Sequence, residues 1–172
     1  MDITQLILDD HAEQRRLFSI IEQIDATDTE ALEAIWGRLK AFLDAHAEAE
    51  ERFFYPELLK RGEGANDADD GTVEGETHDA IEDHNKLRDA VKAVDRYPVG
   101  TGAWIEAVGK ANVVNSEHMG EEERQGLTDF RRHAPIAKRH ELAVKFAAFE
   151  AAHITGVKPV NKDPEAYIEA HS

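Results

Sequence analysis

The sequence predicts an all-α protein, an antiparallel up-down four-helix bundle with an additional C-terminal helical segment. Apolar residues recur at three- and four-residue spacing in successive stretches, which is typical of amphipathic helices. No alternating apolar and polar run is long enough for a strand, and short or polar connections join the helical stretches, as they do in antiparallel bundles. We expect the bundle to occupy residues 1–132, with residues 133–172 forming a C-terminal helix and tail packed on it.

The first helix is predicted from Ile3 to Ile24, where apolar side chains form one stripe. Thr27 to Glu30 then has the sequence of a capping box, with Thr27 as the N-cap of the second helix. The second helix should end between Pro56 and Lys60. Residues 61–75 are rich in glycine and aspartate and are predicted to form a solvated loop.

A third helix is predicted from about Glu76 to Val94, and a fourth from Gly102 to about Phe130. Pro135 interrupts the pattern, and a fifth amphipathic segment follows from Ile136 to Ala152. In the tail, Asp163-Pro164 is a favourable helix start, which predicts one short final helix.

Composition excludes several classes of function. The chain has 36 acidic and 20 basic residues and a formal charge of −16, so we expect neither a nucleic acid nor a membrane partner. It has no cysteine, which excludes disulfides, thiolate metal sites and cysteine nucleophiles. The N-terminus does not resemble a signal peptide and no run is long enough to cross a membrane, so a cytoplasmic location is expected. The oligomeric state stays open.

Four histidines lie on the apolar faces of the four predicted helices, one on each. Two of them are followed four residues later by a glutamate on the same helix face. These candidate metal ligands are His11, His46, Glu50, His84, His118 and Glu122. A third pair of this spacing, His78 and Glu82, lies about 240° around the helix from His84 and is set aside.

Six buried polar side chains without partners would destabilise a core, since each costs roughly 1–3 kcal/mol. A pair of cations would satisfy all six. Imidazole and carboxylate without sulfur suit iron, manganese or zinc. The Glu-x-x-His pairs of ferritin-like bundles are not matched, because the one such spacing is Glu150/His153 at the end of the fifth segment. The alternative is a helical interaction module whose buried histidines are hydrogen-bonded and hold no metal.

The order His11, His46-x-x-x-Glu50 followed by the run from Phe53 to Pro56, His84, and His118-x-x-x-Glu122 resembles the hemerythrin-like family, also called HHE cation-binding proteins. The resemblance covers residues 1 to about 130. It implies two non-haem iron ions joined by an oxo or hydroxo bridge, with His11 and His46 on one iron and His84 and His118 on the other. Glu50 and Glu122 would bridge the two ions.

Two positions depart from the oxygen-carrying members of this family. Ala80 stands where those proteins have a further histidine, and Glu123 stands where they have an aspartate. About two iron positions would then be open, or filled by water or by one of Glu51, Glu121, Glu123 and Tyr55. An open position admits a small molecule.

Three functions therefore stay open at this point. The protein binds or senses a small diatomic or peroxide ligand (dioxygen, peroxide or nitric oxide), or it is an enzyme that decomposes peroxide, or it stores iron.

Overall fold

A computed structural model gives the fold of the chain and describes residues 1–64 and 71–172. Within these two ranges the chain forms eight α-helices and one π-helical turn, and no strand. The helices are α1 (Ile3–Gln23), α2 (Thr29–Ala49), α3 (Tyr55–Arg61), α4 (Val73–Val94), α5 (Gly102–Arg124), α6 (Gly126–His133), α7 (Ile136–Ala152) and α8 (Pro164–His171). The predicted all-α class is confirmed. The middle of the predicted loop, residues 65–70, lies outside the described residues.

The predicted capping box of α2 is wrong. Asp28 is the N-cap, and its carboxylate accepts a hydrogen bond from the backbone N–H of Ala31 at 3.1 Å. Thr27 instead donates its hydroxyl to Asp25 at 2.7 Å. A charged carboxylate interacts favourably with the positive end of the helix dipole, so an aspartate one residue further on displaces the threonine as the cap.

The predicted second helix reaches Arg61 but is not regular. Between α2 and α3, residues Glu50–Phe54 form a π-helical turn, and the N–H of Tyr55 donates to the carbonyl of Glu50, five residues earlier. Such a turn adds one residue relative to an α-helix. As a result the two consecutive glutamates, Glu50 and Glu51, are both buried.

The third predicted helix begins at Val73, three residues early, because the Thr72 hydroxyl caps it by accepting from the N–H of Gly75 at 3.0 Å. The continuous fourth helix predicted to Phe130 is wrong. Gln125, with φ −101° and ψ −89°, separates α5 from α6. The break allows Phe130 to pack in the core beside the side chains of α3.

The C-terminal segment matches its prediction closely. α7 has the predicted bounds, and Asp163 caps α8 by accepting from the N–H of Ala166 at 2.8 Å. α7 contacts α1 and α2, and α8 contacts α4. In the part of the chain that the structure describes, no helix is long and apolar enough to cross a membrane.

The core consists of two apolar clusters. One contains Ile7 and Phe54, and the other contains Leu17 and both tryptophans. Four helices, α1, α2, α4 and α5, each carry one histidine at the level where the two clusters meet. For example, His11 follows Ile7 of the first cluster and precedes Leu17 of the second. The fold therefore encloses a polar layer between two apolar ones.

Candidate metal centre

The structure brings the six sequence-predicted ligands together in this polar layer. They come from α1, α2, the π-helical turn, α4 and α5, and none is more than 5% exposed. They are His11, His46, Glu50, His84, His118 and Glu122. Each lies one or two helical turns from an apolar core residue, so packing of the two clusters fixes its direction.

Glu50 lies at the middle of the group, between two pairs of histidines. Its Oε1 is 2.9 Å from Nε2 of His46 and 3.8 Å from Nε2 of His11. Its Oε2 is 3.2 Å from Nε2 of His84. The Nε2 atoms of His84 and His118 are 3.0 Å apart. The two oxygens of one carboxylate therefore face two different histidine pairs.

The ligand atoms form two groups that share Glu50. In each group one atom per residue lies within 4.8 Å of the others: His11, His46 and Glu50 in the first, and Glu50, His84 and His118 in the second. Donors about 2.1 Å from an ion at right angles to one another lie about 3 Å apart. The observed separations thus fit two adjacent cations.

Several of these atoms are buried without a hydrogen-bond partner. They include Nε2 of His11 and His46, both carboxylate oxygens of Glu50, and Oε2 of Glu122. Buried polar atoms are normally hydrogen-bonded, and an orphan one destabilises the fold. Cations at the centre would satisfy all of these atoms, so the residues present fit bound metal.

Carboxylates on the outer side of the histidines fix the ring orientations. Nδ1 of His11 lies 3.0 Å from Glu123, and Nδ1 of His84 lies 2.8 Å from Glu51. Since the Nδ1 nitrogens meet carboxylates, Nε2 is directed inward. This arrangement is the usual support of histidine metal ligands. Glu51 and Glu123, expected from the sequence as candidates for open iron positions, contact the outer side of the histidines instead.

Two carboxylates also face the outer side of His46, but neither is hydrogen-bonded to it. Its Nδ1 lies 3.4 Å from Asp10 and 3.5 Å from Glu150 of α7. The ring of Phe146, also on α7, packs edge-on against His46 with centroids 5.6 Å apart. The fifth amphipathic segment therefore covers one of the candidate ligands.

Glu51 connects the centre to the C-terminal tail. Besides His84, it accepts a hydrogen bond from Nη2 of Arg88 at 2.8 Å and forms an ion pair with Lys162. The hydroxyl of Tyr167 on α8 donates to the backbone carbonyl of Glu51 at 2.5 Å. Although burial opposes its charge, His84, Arg88 and Lys162 hold the pKa of Glu51 down to about 2.

Tyr55 contacts the centre from the side of α5. Its hydroxyl donates to Oε1 of Glu122 at 2.6 Å, while Oε2 of Glu122 faces Nε2 of His11 at 3.3 Å. A cavity of about 20 Å³ adjoins Tyr55, Glu122 and His118, and Ala80 forms part of its wall. Such a volume holds one water-sized molecule. The small side chain of Ala80 thus leaves space beside the centre.

The electrostatics of the centre favour positive charge. Burial disfavours a charged His11, but hydrogen bonds to the surrounding glutamates, Glu122 foremost, raise its pKa to about 10. The same balance raises the pKa of His84 to about 9 and that of His46 well above its ordinary value. Burial and the neighbouring charge of His84 lower the pKa of His118 well below its usual range.

The pKa values of the two central carboxylates, Glu50 and Glu122, shift in opposite directions. Burial alone would raise the pKa of Glu50, but His46 and the other histidines hold it well below its ordinary value. Burial, with the charge of Glu50, raises the pKa of Glu122. The surroundings of Glu50 thus favour its charged form, for which a cation is a suitable counter-ion.

Sequence reasoning missed Lys162, Tyr167 and Arg88, and it considered Glu150 only in an unmatched Glu-x-x-His pair. The tail has no periodic pattern that would indicate its contacts. One signal was present for Glu150, which lies four residues after Phe146, on the apolar face of α7.

Comparison with known proteins supports the same interpretation. The model of the family described as Hemerythrin HHE cation binding domain matches residues 2–127. No curated protein and no solved structure gives a significant match. The match covers well over half of the 172 residues and includes all six candidate ligands. The chain therefore belongs to the hemerythrin family of HHE cation-binding domains.

Proposed function

We propose that the chain holds two non-haem iron ions in an antiparallel, up-down four-helix bundle and binds or senses dioxygen, peroxide or nitric oxide there. The observation that carries the proposal is the position of Glu50. Its two buried oxygens lack hydrogen-bond partners, and each faces a different pair of histidines. A single carboxylate in this position is suited to bridge two ions.

In this proposal His11 and His46 hold one ion, and His84 and His118 hold the other. Glu50 bridges the two ions. Glu122 offers Oε2 on the side of His11, and its Oε1 already accepts the Tyr55 hydroxyl. To bridge as well, Glu122 would need Oε1 at the second ion, where one lone pair could bind the metal while the other accepts the Tyr55 hydroxyl.

Iron is preferred because the family binds cations and the donor set of imidazole and carboxylate suits it. Bound iron would supply a Lewis acid that also changes oxidation state. The chain contributes the surroundings: α7 covers His46 from outside, α8 contacts the backbone of Glu51, and the apolar clusters exclude bulk water. We place the bundle in residues 1–132 and assign residues 133–172 to its cover.

The size of the cavity beside Ala80 supports a small ligand. At about 20 Å³ it has room for about one water-sized molecule, which favours a diatomic or peroxide ligand over larger substrates. His118, Tyr55 and Glu122 line it, so a ligand there lies directly beside the proposed second ion.

Decomposition of peroxide is a second candidate, favoured by Tyr55. Burial and the charge of Glu122 raise the pKa of Tyr55 well above its ordinary value, so its hydroxyl stays protonated and keeps a proton beside the cavity, donated to Glu122. Steady loss of peroxide catalysed by the purified protein would favour the enzyme. A stoichiometric and reversible spectral change would favour binding or sensing.

Elemental analysis of protein produced in iron-replete cells tests the proposal. We expect about two irons per chain from the two ligand groups, one lost in His46→Ala and one in His84→Ala. His140→Ala is the matched control, since His140 is exposed and contacts the N-terminus. Wild-type protein that is folded and refuses added ferrous iron would overturn the proposal. Storage would appear as loading well beyond two irons.

A further inference from the structure

A groove separate from the metal centre lies between α2, α4 and the segment 155–161. Its volume is about 700 Å³. Sites for small molecules typically measure about 300–1,000 Å³. The groove is therefore large enough to hold an organic ligand, whereas the cavity at Ala80 is not.

Arg88 lines this groove, and it is 6% exposed. Its Nη2 donates to Glu51, and its Nη1 lies 3.5 Å from the Asn85 side chain. Its Nε is buried and has no hydrogen-bond partner. A charged donor left unsatisfied is costly, so Arg88 adds an incompletely hydrogen-bonded positive charge to the wall of the groove.

Two further cations line the groove without forming an ion pair. Lys92 and Lys158 are exposed, and neither belongs to any of the ion pairs found among the described residues. Lys40 is already paired with Asp95 at 2.5 Å. Asp44, Asp89 and Asp95 line the groove as well, so its lining carries four cations against three carboxylates, a small positive excess in a chain of net charge −16.

The groove also offers carboxylate acceptors, of which Asp95 pairs with Lys40 and Asp89 accepts from Asn161 at 3.3 Å. Asp44 is 7% exposed, lines the groove, and makes no hydrogen bond to another described residue. A ligand that satisfies it must carry a donor such as a hydroxyl or an ammonium group. The described lining residues include no aromatic side chain, so there is no surface on which a nucleobase or flavin would stack.

We propose that this groove binds a small, non-aromatic organic oxyanion, a carboxylate or phosphate monoester that also carries a hydroxyl or ammonium donor. Arg88, Lys92 and Lys158 hold the oxyanion, and Asp44 accepts from the donor. The described lining of the groove contains none of the candidate metal ligands, so this proposal can be right or wrong whatever the centre binds.

Isothermal titration of the full-length protein as purified tests the site. The probes are citrate, glutamate and glucose 6-phosphate, with inorganic phosphate for comparison, all at one ionic strength. We expect at least one organic probe to bind saturably, at one molecule per chain, and more tightly than inorganic phosphate. The double variant Lys92→Glu/Lys158→Glu should weaken this binding roughly tenfold or more, because it removes charge-assisted hydrogen bonds.

The matched control is Lys110→Glu/Lys145→Glu. It makes the same change in net charge at exposed lysines that pair with Glu106 and Glu141, outside the groove. It should leave affinity within about twofold, because distant exposed charges are screened. Asp44→Asn should weaken binding of the organic probes and leave that of inorganic phosphate unchanged. The proposal is overturned if no organic probe binds saturably, if inorganic phosphate binds as tightly, or if both double variants weaken binding equally.

Discussion

The hydrogen bond between Tyr55 and Glu122 gives a direct test of whether the centre is built for cations. Tyr55 is 1% exposed, and its hydroxyl is 2.6 Å from Oε1 of Glu122. Tyr55→Phe removes one oxygen and preserves the ring. In metal-free protein the buried carboxylate of Glu122 then loses the hydrogen bond from Tyr55, which costs about 2 kcal/mol. For a chain of this size the melting temperature should fall by about 4–8 °C.

In the iron-loaded protein the same substitution should cost less than about 1 kcal/mol, because a cation beside Glu122 offsets the lost hydrogen bond. Denaturant unfolding of metal-free and iron-loaded protein, each with and without Tyr55→Phe, measures both costs. Tyr97→Phe is the control. Tyr97 is 42% exposed, so its loss of a hydroxyl should change stability by no more than about 0.5 kcal/mol.

Two results would refute this reasoning. Equal costs in the metal-free and loaded states would mean that Glu122 does not face the ion. No cost in the metal-free state would mean that the Tyr55 hydrogen bond does not stabilise the buried carboxylate.

Three further predictions concern the surroundings of the centre. Burial raises the pKa of Asp44 from 3.8 to about 6, so the folded protein binds this proton more tightly and loses stability as the pH rises between these values. The full pKa shift corresponds to at most about 3 kcal/mol, and solvent in the groove reduces this value, so Asp44→Asn should stabilise the protein at pH 7 by roughly 1–2 kcal/mol. This gain, measured by urea unfolding, should vanish near pH 4. Lys162→Met should destabilise by about 1–3 kcal/mol in the same assay, because it removes a partner of the buried Glu51. Phe146→Ala should cost about 3–5 kcal/mol and weaken iron binding in a chelator competition, since it uncovers His46.

The last two of these substitutions have a control in the same stretch of chain. Lys158→Met is the control for Lys162→Met, since Lys158 lies four residues away and forms no ion pair within the described chain. Val144→Ala is the control for Phe146→Ala, since it truncates an exposed residue of α7. Both should change stability by at most about 0.5 kcal/mol. A gain from Asp44→Asn that is the same at pH 4 and pH 7 would contradict the assigned cause. Loss of stability in Phe146→Ala with unchanged iron affinity would mean that α7 does not support His46.

The candidate ligands could be predicted from the sequence because helical periodicity determines which face a residue occupies. His11 and His84 each interrupt an apolar stripe, and His46 and Glu50 are one turn apart on one face. These spacings are local, spanning about two helical turns, and they are present in the folded protein whenever each helix forms. The family resemblance, which rests on the same residues, is confirmed.

The support of those ligands could not be predicted, because it depends on contacts between distant parts of the chain. Lys162 reaches Glu51 across 111 positions and Tyr167 reaches it across 116. Neither residue lies in a sequence pattern from which its contact with Glu51 could be predicted. The sequence also leaves open on which side of a histidine a neighbouring glutamate falls, so Glu51 and Glu123 were expected as candidates for open iron positions.

The π-helical turn at Glu50–Phe54 has a consequence for how this chain should be aligned with its relatives. Because the turn holds one residue more than α-helical geometry allows, deleting one residue there would restore a regular α-helix. His46 and Tyr55 would then both keep the directions in which they now face. A relative without the extra residue should therefore show a one-residue gap between its equivalents of His46 and Tyr55. Aligning such a pair of sequences without the gap would match side chains that face different directions.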